Sequence, residues 1–270
     1  MQPGSEGIEL LAALVDPDGV EEDEYRFLVD GKHVKYVTIE AGALPAEIHR
    51  SFKPDVLRAI PEFPHGDWTK GRISKDNRTG KPVFSSISSD KLPAVESVWC
   101  PIVVDHLELK TVARVRQNIH KVSHVLFPEP VIFKLANFPW EIPFMEVETR
   151  AYSWIQDEDI GPRFLGHVSE GGRVVGFLME NIDGASPATL DDLEACRMAL
   201  ARLHLLGVQH GDVNRNNFLV QRPEGKVTII DFEVARKCDE QERLQAENAS
   251  LEESFRDPSN RGGIVVISAN

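Results

Sequence analysis

The amino-acid sequence predicts an α+β fold, β-rich over its first part and with a reduced helical part toward its end. Three observations predict it. Runs of β-branched and aromatic residues separated by turn residues recur between Tyr25 and Ala136. The apolar period then lengthens from two to helical spacing over residues 142–156. The clearest amphipathic helix, residues 189–208, sits late in the chain between two hairpin patterns. With 270 residues, 41% of them hydrophobic, the chain is long enough for one large domain or two small ones with a sizeable core.

The formal charge of −13 argues against a general nucleic-acid or anionic-membrane surface, since either needs a basic face. Cys100, Cys196 and Cys238 are far apart and odd in number, which suits reduced, buried thiols better than a disulfide framework or a metal site. The opening "MQPGSEGIELLAALV" lacks a basic leader and runs into "DPDGVEEDE", so it does not read as a signal peptide. No apolar run is long enough to span a bilayer. The expectation is a soluble intracellular protein, cytoplasmic or nuclear, with no nucleic-acid and no membrane partner. Trp140 and Trp154 read as packing anchors, because no basic residues interleave with them.

Taken in order, "YRFLVDGKHVKYVTIEA" (25–41) predicts a hairpin turning at Asp30-Gly31. Residues 44–60 have weak helical spacing, and 61–93, rich in Pro, Gly, Ser and Asp, read as an irregular connector. "HLELKTVARVRQ", "HKVSHVLF" and "PVIFKLA" are three successive strands. In "IPFMEVETRAYSWIQ", Met145, Glu148, Tyr152 and Ile155 share a helical face, and Pro143 suits the first helical position. A second hairpin, 163–180, turns at Glu170-Gly171-Gly172. The 189–208 helix carries a Leu193, Cys196, Leu200, Leu203 stripe, a Thr189/Asp192 capping box and a Gly207 stop. A third hairpin spans 218–230, a charged helix with the thin stripe Leu244, Leu251, Phe255 spans 239–255, and "GGIVVISAN" closes the chain.

The chemistry concentrates in "HGDVNRNNFLV" (210–220). Asp212 and Asn217 lie in the loop between the helix and the third hairpin, and Asp231 ends that hairpin's second strand. A hairpin brings its ends together, so Asn217 and Asp231 should be neighbours. Two such oxygen donors are what a hard cation such as Mg²⁺ takes, with phosphate and water completing its shell. Asp212 would lie close by, able to accept a hydrogen bond from an attacking hydroxyl. His210 reads as a residue that holds backbone.

"HGDVNRNN" followed by "IIDFE" resembles the catalytic loop and metal-binding segment of the protein-kinase-like superfamily. The His-Gly-Asp form is nearer to aminoglycoside and choline phosphotransferases and to minimal atypical kinases than to ordinary protein kinases. The chain is similar to compact kinase-like proteins of fungi. The resemblance covers about Lys110 to Arg236. It implies a two-lobed fold, with a kinase-like N-lobe and hinge over 96–182 and a reduced C-lobe over 183–270, preceded by an N-terminal β-rich extension and irregular connector over 1–95. It implies that Lys134, on the third strand, holds the nucleotide's α/β-phosphates and that Glu148 pairs with it. Glu146 is a rival but sits about 200° around the helix from Glu148, at ~100° per residue. A charge on an otherwise apolar face needs a partner, and Lys134 is the natural one for Glu148. The resemblance further implies Met179 as gatekeeper, Glu180 to Ile182 as the hinge that meets adenine, Asp212 as the catalytic aspartate, and Asn217 and Asp231 as metal ligands, with ATP and Mg²⁺ as cofactors.

Three departures stand against that pattern. The turn at "RVRQNIHK" has no glycine, so backbone amides approach phosphate less closely, and Arg116, Asn118 or Lys121 would have to serve instead. Asn214 stands where Ser/Thr kinases carry lysine. The metal segment reads "DFE", with Glu233 in place of glycine, and no activation segment ending in "APE" follows. The main reading is an ATP-dependent phosphotransferase acting on a protein or small-molecule hydroxyl. The alternative is a pseudokinase scaffold that binds nucleotide weakly or not at all. A hydrolase using Asp212 and Asp231 as paired carboxylates would give the lysine and hinge no purpose. The N-terminal third is an extra β-rich cap, or a regulatory or protein-docking element.

Overall fold

The computed structural model describes residues 7–44 and 53–259. The chain divides into two units, residues 1–93 with 137–139, and residues 94–136 with 140–270.

The first unit is a five-stranded sheet built of β1 (Ile8–Leu14), β2 (Asp23–Val29), β3 (His33–Ile39), β4 (Lys70–Lys75) and β5 (Pro82–Ser88), ordered as numbered. Neighbours are antiparallel except β3 and β4, which are parallel and joined through α1 (Lys53–Ala59). The β2–β3 turn forms as expected. Asp30 and Gly31 both take positive φ, 55° and 63°, and Lys32 N–H returns to the Val29 carbonyl, the handedness that matches strand twist. Alternate residues Tyr25, Phe27, Val37, Ile39 and Ile73 form the core with Trp68. Two differences from expectation stand out. The opening "IELLAAL" is the edge strand β1, and the 61–93 segment is not irregular throughout, because β4 and β5 pair as a hairpin. Its Gly, Ser and Asp residues hide a strand pattern in which only Gly71 and Ile73 of β4 are buried. Of the 44–60 helical spacing only Lys53–Ala59 is described as helix; residues 45–52 lie outside the described residues, as does the closing "GGIVVISAN".

The second unit holds a six-stranded sheet of β6 (Val103–Asp105), β7 (Lys110–Arg114), β8 (Ile119–Ser123), β9 (Val131–Leu135), β10 (Phe164–Glu170) and β11 (Arg173–Met179), ordered β6-β10-β11-β9-β8-β7. β7, β8 and β9 are the three strand-like runs, and β10–β11 is the second hairpin, with Gly171 and Gly172 supplying positive φ at its turn. The period-2 pleat sorts β9 by face. Val131, Phe133 and Leu135 pack with Val122, Val168 and Leu178 on one side, while Ile132 and Lys134 point to the other. Gly176 on β11 lies so close to β9 that a β-carbon there would fall on the Lys134 carbonyl oxygen. The lysine strand is thus held tightly against the hairpin.

Against the sheet packs α2 (Ile142–Trp154), with Pro143 in its first turn and Met145, Glu148, Ala151 and Tyr152 buried. The smaller helical part follows. β12 (Ala185–Pro187), β14 (Phe218–Gln221) and β15 (Lys226–Ile229) form one small sheet, and β13 (Val208–Gln209) and β16 (Arg236–Lys237) pair in another. Helix α3 (Leu193–Leu205) begins after the expected capping box and is stopped at Gly207, φ 64°. Helix α4 (Gln241–Arg256) packs on it through Leu244, Leu251 and Phe255. All three thiols are free, Cys196 and Cys238 buried. Trp154 packs on the core, but Trp140, just before α2, is 49% exposed and does not belong to that core. Among the described residues no helix is long and apolar enough to cross a membrane. The mixed α+β class, β-rich first and helical last, is the observed one.

Candidate functional site

The second unit gathers four charged side chains from three elements. Lys134 Nζ, on the inward face of β9, lies 2.6 Å from Glu148 Oε2 of α2, 2.6 Å from Asp231 Oδ1 and 2.9 Å from Glu233 Oε1. Lys134 and Glu148 are 3% and 1% exposed, so that pair is shielded from water, while Asp231 and Glu233 give the cluster a partly solvated edge. Glu148 reaches it because its helical face turns to the sheet. Glu146, on the opposite flank, accepts the N–H groups of Glu96 and Ser97 at 2.7 and 3.1 Å and pairs with Arg150 at 2.9 Å. Burial opposes ionisation of Glu146, but these hydrogen bonds hold its pKa down to about 2. The rival carboxylate is a loop anchor.

Three carboxylates around one ammonium set the protonation. Burial pushes Glu148 up to about 7; Lys134 opposes this, and the negative charges of Asp231 and Glu233 reinforce it. Lys134 goes the other way. Burial favours its neutral form, yet the three carboxylates outweigh burial and hold it well above the ordinary lysine value. Burial likewise opposes the Asp231 charge, but Lys134, through its charge and hydrogen bond, keeps the carboxyl below the usual range. Asp231 takes a φ of 68°, a left-handed conformation that Asp tolerates better than branched residues do, and β15 has ended two residues before it.

The loop at 210–217 is held from below. His210 is fully buried; its Nδ1 accepts the Asp212 N–H at 3.2 Å, so Nε2 carries the proton and donates to the Ile230 carbonyl at 3.0 Å. Burial lowers the His210 pKa, which keeps this neutral tautomer. Gly211 has φ 86°, and a β-carbon there would meet the Val234 carbonyl at 2.8 Å, so the position requires glycine. The N–H groups of His210 and Gly211 donate to the Glu247 carboxylate of α4 at 3.1 and 2.6 Å, and His204 Nε2 meets it at 2.7 Å. Burial opposes the Glu247 charge, and these three partners hold its pKa low.

Above that anchor, Asn214 and Asn217 point their Nδ2 donors at Asp212 Oδ2, at 3.2 and 3.3 Å, and Asn217 Nδ2 also reaches the Asp212 carbonyl at 2.9 Å. Asn217 is thereby committed through its nitrogen, which leaves Oδ1 as the atom that could ligate a cation. The Ile230 N–H donates to the Asn217 carbonyl at 3.0 Å, so Asn217 stands across from the residue that precedes Asp231. The hairpin therefore brings the two predicted metal positions into adjacent strands' ends. A column of rings ties the pieces together. His210 and Phe232 centroids are 5.2 Å apart, Phe232 and Tyr152 5.4 Å, Tyr152 and Phe164 5.7 Å, and Phe164 and Trp99 4.4 Å. The Tyr152 hydroxyl, held protonated by burial, donates to Met179 Sδ at 3.3 Å.

A cleft of about 570 Å³ opens in front of Lys134. Val115, Ile119, Ile132, Met179, Leu219 and Ile230 make its walls apolar, and Lys134, Asp231 and Arg116 line it as well. Met179, Glu180 and Ile182 all line it; the Glu180 N–H is committed to the Arg163 carbonyl at 2.9 Å. Asp212 and Asn217 do not line this cleft, although their neighbour Asn216 does. The site residues thus form two groups, Lys134–Glu148–Asp231 in the cleft and Asp212–Asn217 beside it, linked through Ile230.

For a metal, the donor set is hard. Carboxylate oxygens of Glu148, Asp231 and Glu233 lie within 4.8 Å of one another, but the Lys134 ammonium occupies their midst. The second oxygen of Asp231 and Asn217 Oδ1 are oxygen donors of the kind that a hard cation such as Mg²⁺ takes. Two residues escaped the sequence reading. Glu233 reads in the sequence only as a replacement for glycine, not as a partner of Lys134. Glu247 sits three residues after Leu244 and four before Leu251, a lone charge on a buried stripe, the same signal that singled out Glu148.

Residues 185–261, less than a third of the chain, match the family model of the lipopolysaccharide kinase (Kdo/WaaP) family. Among solved structures the chain is similar to the kinase PK-1 of Cydia pomonella granulovirus, with a TM-score of 0.39 and 13% sequence identity. That similarity covers 48% of this chain and 53% of the viral one, so the chain spans about half the length of that kinase. No curated protein matches.

Proposed function

We propose that this chain is an ATP-dependent phosphotransferase of the protein-kinase-like type, moving the γ-phosphate of ATP to a hydroxyl on a protein or small molecule. The observation that carries the reading is the placement of Lys134. A buried ammonium, fixed by Glu148 and facing Asp231, stands at an apolar cleft wide enough for a nucleoside. The match of 185–261 to a kinase family supports it, since that stretch contains Asp212, Asn217 and Asp231.

In this reading the adenine packs between Met179 and the strand residues Ile119 and Ile132, against the Glu180–Ile182 backbone. Lys134 takes the α/β-phosphates. Asn217 Oδ1 and Asp231 hold Mg²⁺, which when bound neutralises charge on the phosphates. Asp212, its Oδ2 held by Asn214 and Asn217, accepts the hydrogen bond of the acceptor hydroxyl and orients it for in-line attack. A pseudokinase would have no use for a carboxylate steadied by two amides, and no observation favours that reading. The N-terminal unit, with its own sheet and core, is the part that would regulate transfer or dock a protein partner.

Thermal-shift titration with ATP, with and without Mg²⁺, tests the site before any acceptor is identified. Metal-dependent stabilisation of wild type that Asp231→Ala loses is expected. Equal responses of the two proteins reject the site.

A further inference from the structure

The turn between β7 and β8 spends three of its backbone donors on itself. The N–H groups of Val115 and Arg116 both go to the Ile119 carbonyl, at 2.9 and 3.0 Å, and the Ile119 N–H returns to the Arg116 carbonyl at 3.4 Å. The Asn118 carbonyl accepts the Leu135 N–H of β9 at 3.0 Å, pinning the turn to the lysine strand. A loop cradles phosphate when successive N–H groups converge on a concavity and no side chain blocks the approach. Here the three donors face inward, and Gln117 and Asn118 carry side chains at the tip.

What this turn does present to the cleft is a cation. Arg116, half-buried, lines the cleft together with Lys134 and Asp231. The other basic residue nearby, Lys121, pairs with Asp183 at 3.4 Å and does not line it. A guanidinium offers its donors in a planar fork that matches two phosphate oxygens at once.

We propose that Arg116 is the phosphate-binding residue of this cleft, a side-chain replacement for a glycine-rich backbone cradle, and that it selects nucleoside polyphosphates over nucleosides. The proposal rests on the phosphotransferase reading and names the group that recognises the substrate's tail. It places the recognition on a charge, so affinity should grow with each added phosphate and fall with salt.

Isothermal titration of wild type, Arg116→Ala and Arg116→Lys with adenosine, ADP and ATP tests it. Wild type should bind ATP more tightly than adenosine. Arg116→Ala should lose about tenfold or more in ATP affinity and keep adenosine affinity unchanged, which also reports an intact cleft. Arg116→Lys should recover part of the loss, since charge returns without the fork. ATP binding undiminished in Arg116→Ala, or adenosine and ATP lost in equal measure, overturns the role of Arg116 while wild-type binding keeps the nucleotide site standing. A wild type that binds none of the three overturns the phosphotransferase reading, and this one with it.

Discussion

Lys134 Nζ and Asp231 Oδ1 lie 2.6 Å apart although 97 residues separate them in the chain. The contact joins the six-stranded sheet to the segment just after the last hairpin. A buried ammonium with three carboxylate neighbours is held in place before any substrate arrives.

That arrangement makes Glu233 a competitor. Its carboxylate, 35% exposed, sits 2.9 Å from Lys134, and in the proposed reaction incoming phosphate oxygens would need the same ammonium. Glu233→Gln should raise ATP affinity about fivefold, from about 1 kcal/mol of repulsion removed at a partly solvated site. Calorimetric titration reads this directly, and a weaker rather than tighter complex would make Glu233 a ligand instead.

In the proposed reaction Asp212 serves the chemical step and not nucleotide binding, since it does not line the cleft. Asp212→Asn should lower phosphate release from ATP by about 10²- to 10⁴-fold while leaving the ATP thermal shift intact. A variant that still turns over at the wild-type rate would remove Asp212 from the mechanism.

Glu247 holds the loop that carries Asp212. Glu247→Gln leaves one carboxamide oxygen to serve His210, Gly211 and His204, and should cost about 3 kcal/mol of stability in urea denaturation. A loss below about 1 kcal/mol would show that the loop stands without this anchor.

His167 makes the fold acid-sensitive. It is fully buried; Nε2 accepts the N–H groups of Trp99 and Cys100 at 3.2 and 3.1 Å, so a second proton there would displace both. Burial lowers its pKa from 6.5 to about 4. Between those values the folded protein holds fewer protons than the unfolded chain, so stability falls as pH falls through that window, by up to about 3 kcal/mol. His167→Gln keeps an acceptor but does not titrate. Denaturation at pH 7 and pH 4.5 should therefore show a smaller acid loss in the variant than in wild type, and parallel losses would refute the assignment.

Much of this was legible in the chain itself. The β2–β3 hairpin, the capping box before α3 and the buried face of α2 follow from periods and turn residues only a few positions apart, and such local signals survive any tertiary context. The choice of Glu148 over Glu146 was legible for the same reason, since helical phase alone puts them on different flanks. Strands β4 and β5 were not, because Pro, Ser and Gly mask a pattern that becomes regular only when the two pair.

The sequence by itself determined most elements of the second unit and which few polar residues stand out within them: Lys134 on a strand, Glu148 on a helix face, Asp212 and Asn217 in a loop, Asp231 just past a strand's end. Only the tertiary structure decided who meets whom. That Glu233 crowds the lysine, that Glu247 carries the loop, and that Arg116 faces the cleft while its own backbone is occupied are matters of distance between segments tens of residues apart. Periodicity reports the direction a side chain takes from its own element, and carries no information about what another element will place there.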